Sequence, residues 1–355
     1  MKVRFLDFGM VSALRSQSIY HGIAKALKEG TPNTITLMRP SEPYVCIGYH
    51  QELKKEVDLE YCKKHGIPIF RREIGGGAVY LDSGQLFYHT IFQQRHVPRD
   101  IQEAYKLFLQ APIETYRELG IPAEYRPIND LQVGGKKIGG TGAAKIGNAF
   151  VIAGSLLLDF NYEMMSRVLK VPDEKFRDKI YKGLTQYLTT IKKELGEVPP
   201  IDDLKRLLIE KFDETLGVTI VKGEPTKEEW RAVEKMDEKM LSRGWLHMME
   251  DPYERVRKVK IAEGVHVVES AYKSPGGLIR TTLRTRDDVI EDILISGDFF
   301  IYPPEALEKL SEALKGGKLE EKDILARLDK FFSTNDVQTP GVGHEDILNA
   351  IFLDR

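Results

Sequence analysis

Two glycine-rich stretches that contain basic side chains are the residues of this chain best suited to bind an anionic ligand. The first runs from Arg71 to Asp82 and reads Arg-Arg-Glu-Ile-Gly-Gly-Gly-Ala-Val-Tyr-Leu-Asp. Three consecutive glycines let another molecule approach the main chain, because no Cβ stands in the way. Backbone N–H groups beside an arginine suit phosphate or carboxylate oxygens, since a guanidinium binds them in a bidentate manner. Taken alone, the stretch is equally typical of a glycine-rich turn with two solvated arginines.

The second stretch runs from Asn129 to Ala143 and reads Asn-Asp-Leu-Gln-Val-Gly-Gly-Lys-Lys-Ile-Gly-Gly-Thr-Gly-Ala. Its glycines argue against a helix or an ordinary strand, because each costs ~0.5–1 kcal/mol relative to alanine within a regular element. The spacing fits neither a P-loop nor a dinucleotide-binding fingerprint. We therefore predict a hairpin that directs a lysine at a bound ligand. The alternative is a mobile surface hairpin with solvated lysines.

The elements that position these stretches are predicted from apolar patterning. Strands are expected over residues 3–8, 34–39, 44–48, 67–70, 85–92 and 148–159. Helices are expected over residues 12–28, 58–65 and 101–119. In this arrangement the first glycine stretch connects two strands, and the second forms a hairpin around Gly134 and Gly135.

The rest of the chain changes character twice. Residues 162–246 are predicted to be largely helical and charged. Beyond about residue 255 we predict four antiparallel strands, over residues 256–261, 264–272, 277–285 and 289–296, and two helices, over residues 304–315 and 319–333. Since 355 residues exceed what a single core usually supports, we predict two domains, at residues 1–246 and 247–355.

Composition restricts the possible partners and compartment. The net charge of −2 lacks the basic excess expected of a nonspecific nucleic-acid binder. No apolar run approaches the ~20 residues that span a bilayer, and the N-terminus has no secretory signal pattern. The two cysteines, Cys46 and Cys62, do not suggest a disulfide framework. We therefore expect a soluble cytoplasmic protein with no nucleic-acid or membrane partner.

In order and spacing, the two stretches resemble the lipoate–protein ligase family. The likeness rests on Arg-Arg-x-x-Gly-Gly-Gly-Ala-Val-Tyr-x-Asp, on Asn-Asp-x-x-x-x-Gly-Lys-Lys-Ile-x-Gly, and on a following Gly-Ser-Leu-Leu-Leu strand. Upstream, Arg39-Pro40 and residues 45–51 look like two further elements of that family. The likeness covers about residues 30–165 in ordered succession. It extends more weakly to residues 255–355, which resemble the family's accessory domain.

The resemblance implies a fold and a reaction. The fold is α/β (α+β), a mixed, mostly antiparallel sheet with flanking helices like the biotin/lipoate ligase catalytic fold, followed by a small α+β domain. The reaction uses ATP and Mg²⁺ to convert lipoate to lipoyl-AMP, and then transfers the lipoyl group to a lysine of an acceptor protein. The implied acceptor is the lipoyl domain of a 2-oxoacid dehydrogenase E2 or an H-type protein of glycine cleavage. Fixed cations are needed because a carboxylate and an α-phosphate must approach each other.

The resemblance also implies site residues, carried over position by position. Lys137 matches the catalytic lysine, which would bind both the phosphate and the acyl carbonyl oxygen, while Asp130 would help hold Mg²⁺ or the incoming amine. The implied adenylate site consists of Arg72, Gly76, Gly77, Ala78, Val79, Tyr80, Asn129, Asp130 and Lys137. The implied lipoate site consists of Arg72, Gly75, Gly76, Lys137, Gly140 and Gly154. For Arg71, Asp82 and His89 we predict structural roles.

Four positions depart from the family pattern, and three rival functions follow from the residues. The departures are Leu81, Gly139, Gly142 and Ala153. They bear on which acyl chain the protein binds and which acceptor it uses. An octanoyltransferase on the same fold would need a thiolate facing the lysine, but neither cysteine is at a matching position. Ile128 stands where one branch of the octanoyltransferases places its cysteine. A biotin ligase would need a Gly-Arg-Gly-Arg loop, which the chain lacks. Ala153 keeps open a noncatalytic carrier derived from a ligase.

Because two ligands must enter in succession, we also expect conformational change. A loop over residues 139–147 is expected to become ordered around the adenylate. The small C-terminal domain is expected to swing.

Overall fold

The computed structural model describes residues 1–250 and 265–353. Its strands are β1 (Lys2–Val11), β2 (Asn33–Pro40), β3 (Tyr44–Ile47), β4 (Ile69–Arg71), β5 (Val79–Leu81), β6 (Gln85–Gln93), β7 (Glu124–Arg126), β8 (Asp130–Val133), β9 (Lys136–Ile146), β10 (Ala149–Leu157), β11 (Thr219–Lys222), β12 (Val265–Ser274), β13 (Gly277–Arg286) and β14 (Val289–Gly297). Its helices are α1 (Ala13–Ala26), α2 (Leu53–Glu56), α3 (Leu59–Lys64), α4 (Ile101–Glu118), α5 (Tyr162–Val168), α6 (Glu174–Tyr187), α7 (Ile191–Leu195), α8 (Ile201–Leu216), α9 (Lys227–Leu241), α10 (Arg243–Leu246), α11 (Ala306–Leu314), α12 (Glu321–Thr334) and α13 (His344–Phe352).

The central sheet has eight strands in the order β11-β1-β2-β6-β10-β9-β8-β7. Strand β1 is parallel to β2 and β11, and every other neighbouring pair is antiparallel. Neighbouring residues of a strand point to opposite faces, and β6 shows what covers each face. His89 stacks on Tyr20 of α1, and Tyr88 contacts Phe212 of α8. The predicted mixed, mostly antiparallel sheet with flanking helices is confirmed.

A small sheet, in the order β4-β3-β5, holds the first glycine stretch. Strand β3 is parallel to β4 and antiparallel to β5, so the chain must cross over β3 between Arg71 and Val79. The glycines lie within this crossing. The prediction that they connect two strands is confirmed, although the next strand is the short β5 rather than β6.

The second glycine stretch forms the predicted hairpin, but the part after the turn is not a loop. Gly134 and Gly135 make the turn between β8 and β9, both with positive φ angles. Residues 139–146 lie within β9 and pair with β10 from Thr141 onward. The expected loop over residues 139–147 is therefore wrong. Glycines are accepted in this strand because neighbouring side chains occupy the space that a Cβ would need, as at Gly142, where it would lie 2.6 Å from Cγ2 of Ile74.

Two further elements were not expected. Strand β11 lies within the segment predicted to be helical and forms the edge of the central sheet beside β1. Three of its four side chains are exposed, so no alternation of buried residues marks it as a strand. Helix α13 follows the two predicted C-terminal helices.

The C-terminal part, residues 265–353, has its own sheet, β12-β13-β14, and its own hydrophobic cluster within residues 279–351. Three of the four predicted strands are seen, and the strand expected at 256–261 lies outside the described residues. The C-terminal part contacts the N-terminal part through His50, whose Nε2–H donates to the carbonyl oxygen of Pro304 at 2.8 Å. Arg280 forms an ion pair with Glu56 across the same contact. Within the described ranges, none of the helices has both the length and the apolar character needed to cross a bilayer.

Candidate active site

Lys137 lies near the start of β9 and is paired with a carboxylate. Its Nζ is 2.6 Å from Oδ1 of Asp130 on β8. The Lys137 side chain is 39% exposed and that of Asp130 is 26% exposed, so the pair borders solvent. A Cβ at Gly140 would lie 2.7 Å from the lysine nitrogen, so the glycine leaves room for the lysine side chain. The structure thus brings three predicted site residues together.

The main chain of Lys137 is held by the segment that follows α6. The N–H of Thr189 donates to the carbonyl oxygen of Lys137 at 2.8 Å, and Leu188 forms an isolated parallel bridge with Lys137. The carbonyl oxygen of Leu188 accepts a hydrogen bond from the hydroxyl of Tyr162 at 3.2 Å. The position of Lys137 therefore depends on α6 as well as on the sheet.

The two glycine stretches meet at an aromatic ring from the C-terminal part. Gly76 has a φ angle of +88°, which favours glycine, and a Cβ there would lie 2.9 Å from Cζ of Phe300. A Cβ at Gly142 would lie 3.6 Å from Cε1 of the same ring. Phe300 is only 8% exposed. Its ring fills the space between the stretch that carries Arg72 and the strand that carries Lys137.

The segment around Phe300 is fastened to the N-terminal part by hydrogen bonds. The hydroxyl groups of Tyr302 and Tyr105 lie 2.9 Å apart, and both side chains are buried. The side chain of Gln338 accepts from the N–H of Ile101 at 3.0 Å and donates to the carbonyl oxygen of Arg99 at 2.9 Å. These hydrogen bonds hold the C-terminal part against the N-terminal part next to the predicted site.

The two adjacent arginines of the first stretch have different surroundings. Arg71 is fully buried and donates to five carbonyl oxygens. They belong to Gly48, Tyr49, Gln51, Trp245 and Leu246. Arg72 is partly exposed and donates to the carbonyl oxygens of Gly75 and Gly77, at 2.7 and 2.9 Å. Arg71 therefore supports the fold, as predicted, while Arg72 shapes the glycine turn.

The remaining residues of the first stretch lie along the same crossing. A Cβ at Gly75 would be 3.2 Å from the carbonyl oxygen of Phe299, and one at Gly77 would be 3.8 Å from Cβ of Asp298. Ala78 packs against a small hydrophobic cluster to which Tyr80 also belongs. Val79 is half-buried and pairs with Cys46 of β3. The side chain of Tyr80 is thus engaged in packing.

Two predicted ligand contacts have structural partners instead. The side-chain amide of Asn129 donates to the carbonyl oxygen of Thr141. In return, the backbone N–H of Thr141 donates to the backbone carbonyl oxygen of Asn129 at 3.1 Å. A Cβ at Gly154 would lie 2.4 Å from the Tyr88 hydroxyl oxygen, on the face of the sheet that α8 covers. Packing therefore accounts for the glycine at 154. The ligand roles of Asn129 and Gly154 stay predictions.

Contacts with neighbouring residues account for some of the departures from the family pattern. A Cβ at Gly139 would lie 3.3 Å from both Cδ1 of Leu131 and the carbonyl oxygen of Ser155. Ala153 is opposite His89 in the pairing of β10 with β6. Leu81 pairs with Tyr44 of β3 and packs against a second small hydrophobic cluster, to which Tyr44 belongs.

Buried neutral histidines support the site from the α1 face. The N–H of Glu73 donates to Nε2 of His21 at 3.0 Å, and Nδ1 of His21 lies 2.7 Å from the carbonyl oxygen of Gln17. Burial lowers the pKa of His21 to about 4 and that of His89 to about 3. His89 also lies 2.9 Å from Oγ1 of Thr36, which agrees with the structural role predicted for it.

We expect the free energy of unfolding to fall as the pH drops from about 6.5 toward 4. The unfolded imidazoles take up protons below their usual pKa of about 6.5, while the buried ones stay neutral, so the unfolded state binds more protons. The contribution of these histidines to the free energy of unfolding is fully present above pH 6.5. Below that pH it falls by up to about 1.4 kcal/mol per pH unit for each such histidine. Urea unfolding at several pH values measures the slope, and His21→Gln should reduce it. A slope that is unchanged in this variant would contradict the prediction.

A cavity of about 870 Å³ lies away from the ring of Phe300. It is lined by Arg39, Asp82, Asp159, Tyr162 and Tyr181, among others. Asp82 supports the adjacent turn, because its Oδ1 accepts from the N–H of Gly84 at 2.8 Å. The cavity therefore adjoins the end of the first glycine stretch rather than the space between Gly76 and Gly142.

Sequence reasoning missed Phe300, Tyr302 and Thr189. Phe300 lies within residues 255–355, the part with the weaker resemblance, and it stands in the apolar run Phe-Phe-Ile-Tyr at residues 299–302. That run signals burial, but nothing in it shows that the ring is buried against a different part of the chain. Thr189 acts through its backbone N–H, which leaves no signal in the residue type.

Comparison with known proteins gives two family matches. Residues 14–213 match the family model of the lipoyl protein ligase A/B catalytic domain, and residues 267–351 match that of the bacterial lipoate protein ligase C-terminus. The chain is 36% identical to lipoate-protein ligase A subunit 1 of Thermoplasma acidophilum, over 57% of this chain and 79% of that protein. It is 26% identical to octanoyltransferase LipM of Geobacillus kaustophilus, over 66% of this chain and 93% of that protein. The resemblance seen in the sequence is confirmed.

Solved structures agree with these matches. A bi-partite lipoate protein ligase studied with its E2 lipoyl domain from T. acidophilum aligns with a TM-score of 0.65 and 30% identity, over 71% of this chain and 98% of that one. A lipoate-protein ligase A bound with ATP aligns with a TM-score of 0.60 and 27% identity, over 70% of this chain and 99% of that one. A T. acidophilum protein with bound lipoic acid aligns with a TM-score of 0.59 and 26% identity, over 70% of this chain and all of that one.

Proposed function

Because the chain belongs to the lipoyl protein ligase A/B catalytic domain family, we propose that it is a lipoate–protein ligase that activates lipoate with ATP and transfers the lipoyl group to an acceptor lysine. The observation that carries this proposal is the Lys137–Asp130 pair, which borders solvent. It involves strand β9, whose Gly142 lies against Ile74 and the ring of Phe300, and that ring also contacts Gly76 of the first glycine stretch. The reaction joins two anions, the lipoate carboxylate and the α-phosphate of ATP. It therefore requires a fixed cation beside main chain that the ligands can approach closely.

In the first step, a carboxylate oxygen of lipoate attacks the α-phosphorus of ATP, and the bond to pyrophosphate breaks. Lys137 offsets the negative charge that gathers where the two anions meet. The absence of a Cβ at Gly140 leaves room for this side chain where it lies now, and the proposed step requires it to turn from Asp130 toward the bound groups. Arg72 holds the glycine turn in shape and presents a second cation to the nucleotide.

In the second step, the amine of the acceptor lysine attacks the acyl carbonyl carbon, AMP leaves, and an amide forms. The amine must lose a proton to become a nucleophile. Asp130 is the nearest carboxylate to Lys137, and its side chain is 26% exposed. We propose that it holds the incoming ammonium group of the acceptor once Lys137 has turned to the adenylate.

Mg²⁺ fits this site only in a limited way. Mg²⁺ is commonly held by one or two carboxylates together with substrate phosphates, and it would neutralise phosphate charge. Asp130 is a carboxylate suited to that arrangement, although it is paired with Lys137 here. In residues 1–250 and 265–353, no group of three or more His, Cys, Asp or Glu side chains forms a metal cluster.

We propose an E2 lipoyl domain as the acceptor, supported by the T. acidophilum ligase that was studied with such a domain. An H-type protein of glycine cleavage is the second candidate. We also propose that the protein acts in the cytoplasm. Both cysteines are buried free thiols, which suits a reducing compartment.

Octanoyl transfer from a carrier protein is the second candidate function, because LipM octanoyltransferases are among the relatives. That mechanism needs a thiolate at the lysine. Cys46 lies within β3 and Cys62 within α3, both side chains are buried, and burial raises the pKa of Cys62 to about 11. Burial also raises the pKa of Cys46. These features favour the ligase reaction.

ATP–pyrophosphate exchange that depends on lipoate tests the proposed function. The purified protein should catalyse this exchange without any acceptor, and should attach lipoate to a lipoyl domain when the domain is added. Exchange that does not respond to lipoate would refute the ligase assignment. An acyl-thioester on Cys46 or Cys62 after incubation with an octanoylated carrier would favour the transferase instead.

The position of Phe300 gives a further prediction. Its ring occupies the space between Gly76 and Gly142, so an acyl chain can enter there only when the C-terminal part moves away. Phe300→Ala should lower the KM for lipoate in the exchange reaction by about three- to tenfold, because a larger fraction of molecules is open. Phe332→Ala, which removes a partly buried ring from the C-terminal core, is the control. A raised KM in the Phe300 variant would show that the ring contributes to binding lipoate.

A further inference from the structure

Glu73 is a buried acid within the first glycine stretch that the proposed reaction does not use. It stands at the first of the two positions that the motif Arg-Arg-x-x-Gly-Gly-Gly leaves open, directly after Arg72. Its side chain is 10% exposed, and its Oε1 lies 3.0 Å from Nζ of Lys25 and 2.5 Å from Nζ of Lys239. Burial acts to raise the pKa of Glu73, but the basic groups around it hold that pKa below its ordinary value. The carboxylate is therefore ionised at neutral pH and compensated by two ammonium groups.

Helix α1 binds Glu73 through both its main chain and its side chain. His21 and Lys25 are four residues apart, so they lie on the same face of this helix. Nε2 of His21 accepts from the backbone N–H of Glu73 at 3.0 Å, while Lys25 pairs with the carboxylate. Lys239 reaches the same carboxylate from α9, a helix that packs on α1. Glu73 is thus held between two packed helices.

A second contact of Lys239 reaches the other side of Arg72, through Trp245 of α10. The ammonium group of Lys239 lies 3.7 Å from the centroid of the Trp245 ring. The indole N–H of Trp245 donates to the carbonyl oxygen of Arg71 at 2.8 Å. The backbone N–H of Arg72 donates to the carbonyl oxygen of Ile47 at 3.1 Å. The peptide group before Arg72 and the one after it are therefore both hydrogen-bonded, which fixes the Cα atom between them.

Arg72 presents its guanidinium from this fixed point. It is partly exposed, whereas Arg71 is fully buried, so Arg72 is the one of the two that a ligand can reach. A guanidinium binds phosphate oxygens best in a bidentate arrangement, which depends on its direction. Without the charge of Glu73, the ammonium groups of Lys25 and Lys239 would repel each other and would no longer hold this part of the stretch against α1 and α9.

We propose that Glu73 is a positioning residue for the adenylation step. Its carboxylate, held by Lys25 and Lys239, sets the direction in which Arg72 meets the phosphates of ATP. This inference rests on the proposed function and gives Glu73 no contact with a ligand. Because Glu73 acts through Arg72, its effect on ATP must disappear where the Arg72 guanidinium is absent.

Glu73→Gln tests the inference, because it keeps the size of the side chain and removes its charge. In lipoate-dependent ATP–pyrophosphate exchange, this variant should raise the KM for ATP about three- to tenfold, with kcat and the KM for lipoate within about twofold of the wild type. Lys239→Met should also raise the KM for ATP. The two substitutions together should raise it no further than Glu73→Gln alone, since both break one contact. In an Arg72→Met background, Glu73→Gln should leave the KM for ATP unchanged.

The matched control is Glu229→Gln. Glu229 is also a buried acid, near the opposite end of α9 from Lys239, and it pairs with Arg4 of β1. The control should leave the KM for ATP unchanged, even where it lowers the midpoint of urea unfolding.

An unaltered KM for ATP in Glu73→Gln would overturn the inference, whatever the stability of that variant. An equal rise in the control would also overturn it, as would a further rise when Glu73→Gln is added to Arg72→Met. Absence of lipoate-dependent exchange in the wild type would refute the proposed function instead. The Kd for ATP, measured by calorimetry on the same variants, would then decide the role of Glu73 by the same comparisons.

Discussion

Replacement of Lys137 by alanine is expected to reduce lipoate-dependent ATP–pyrophosphate exchange by a factor of about 10² to 10³ or more. The ammonium group is the cation that β9 presents beside Asp130, and its place is fixed by β8, by the turn at 134–135 and by Thr189. Its loss leaves the repulsion between carboxylate and phosphate uncompensated. The loss should appear in the rate of exchange and in single-turnover formation of the adenylate.

Lys136→Ala is the matched control for this experiment. Lys136 is the preceding residue of β9, is exposed, and within the described ranges has no ion-pair partner. Neighbouring residues of a strand point to opposite faces, so its charge should not reach the ligand. We expect near-normal exchange from the Lys136 variant. Similar activity in the two variants would contradict the assignment of Lys137.

The second large effect is expected on stability, at Arg71. Burial lowers the pKa of Arg71 to about 10, so the guanidinium still carries its charge at neutral pH. Arg71→Met would keep much of the volume but leave five carbonyl oxygens, those of Gly48 and Gln51 on buried residues, without this donor. We expect a loss of about 3–5 kcal/mol in the free energy of unfolding, measured by urea titration.

Arg72→Met should behave differently from Arg71→Met. Arg72 is partly exposed and bonds mainly to the carbonyl oxygens of its own glycine turn. Its loss should therefore change the KM for ATP more than the unfolding midpoint. If the Arg72 variant unfolded as readily as the Arg71 variant, the separation of a structural from a ligand-binding arginine would be wrong.

Much of this site follows from local patterns in the sequence. A turn at Gly134 and Gly135 places Lys137 at the start of a strand, because two-residue glycine turns join antiparallel strands. Of the two adjacent arginines, Arg71 was predicted to have a structural role. The turn and the structural role of Arg71 agree with the structure, while the ligand role of Arg72 stays a prediction.

The missed features depend on contacts between distant parts of the chain. The glycines at 139–142 lie in a strand rather than a loop, because Ile74 and Phe300 from elsewhere fill the space above Gly142. Strand β11 has exposed side chains and is defined by hydrogen bonds to β1, which a single-segment pattern does not report. Long-range packing of this kind overrides local propensity.

The contact between the C-terminal part and the first glycine stretch is made within one polypeptide, with 14 residues of chain (251–264) between the two described parts. A covalent tether gives an effective concentration on the order of millimolar, so a contact too weak to hold two separate chains together can still keep Phe300 seated. The contact is partly polar, as between Lys55 and Glu269, and partly apolar, because Phe300 and Tyr302 belong to the hydrophobic cluster of the N-terminal part. The proposed function requires the C-terminal part to move away from Gly76, and the high local concentration would then return Phe300 to its place after each opening.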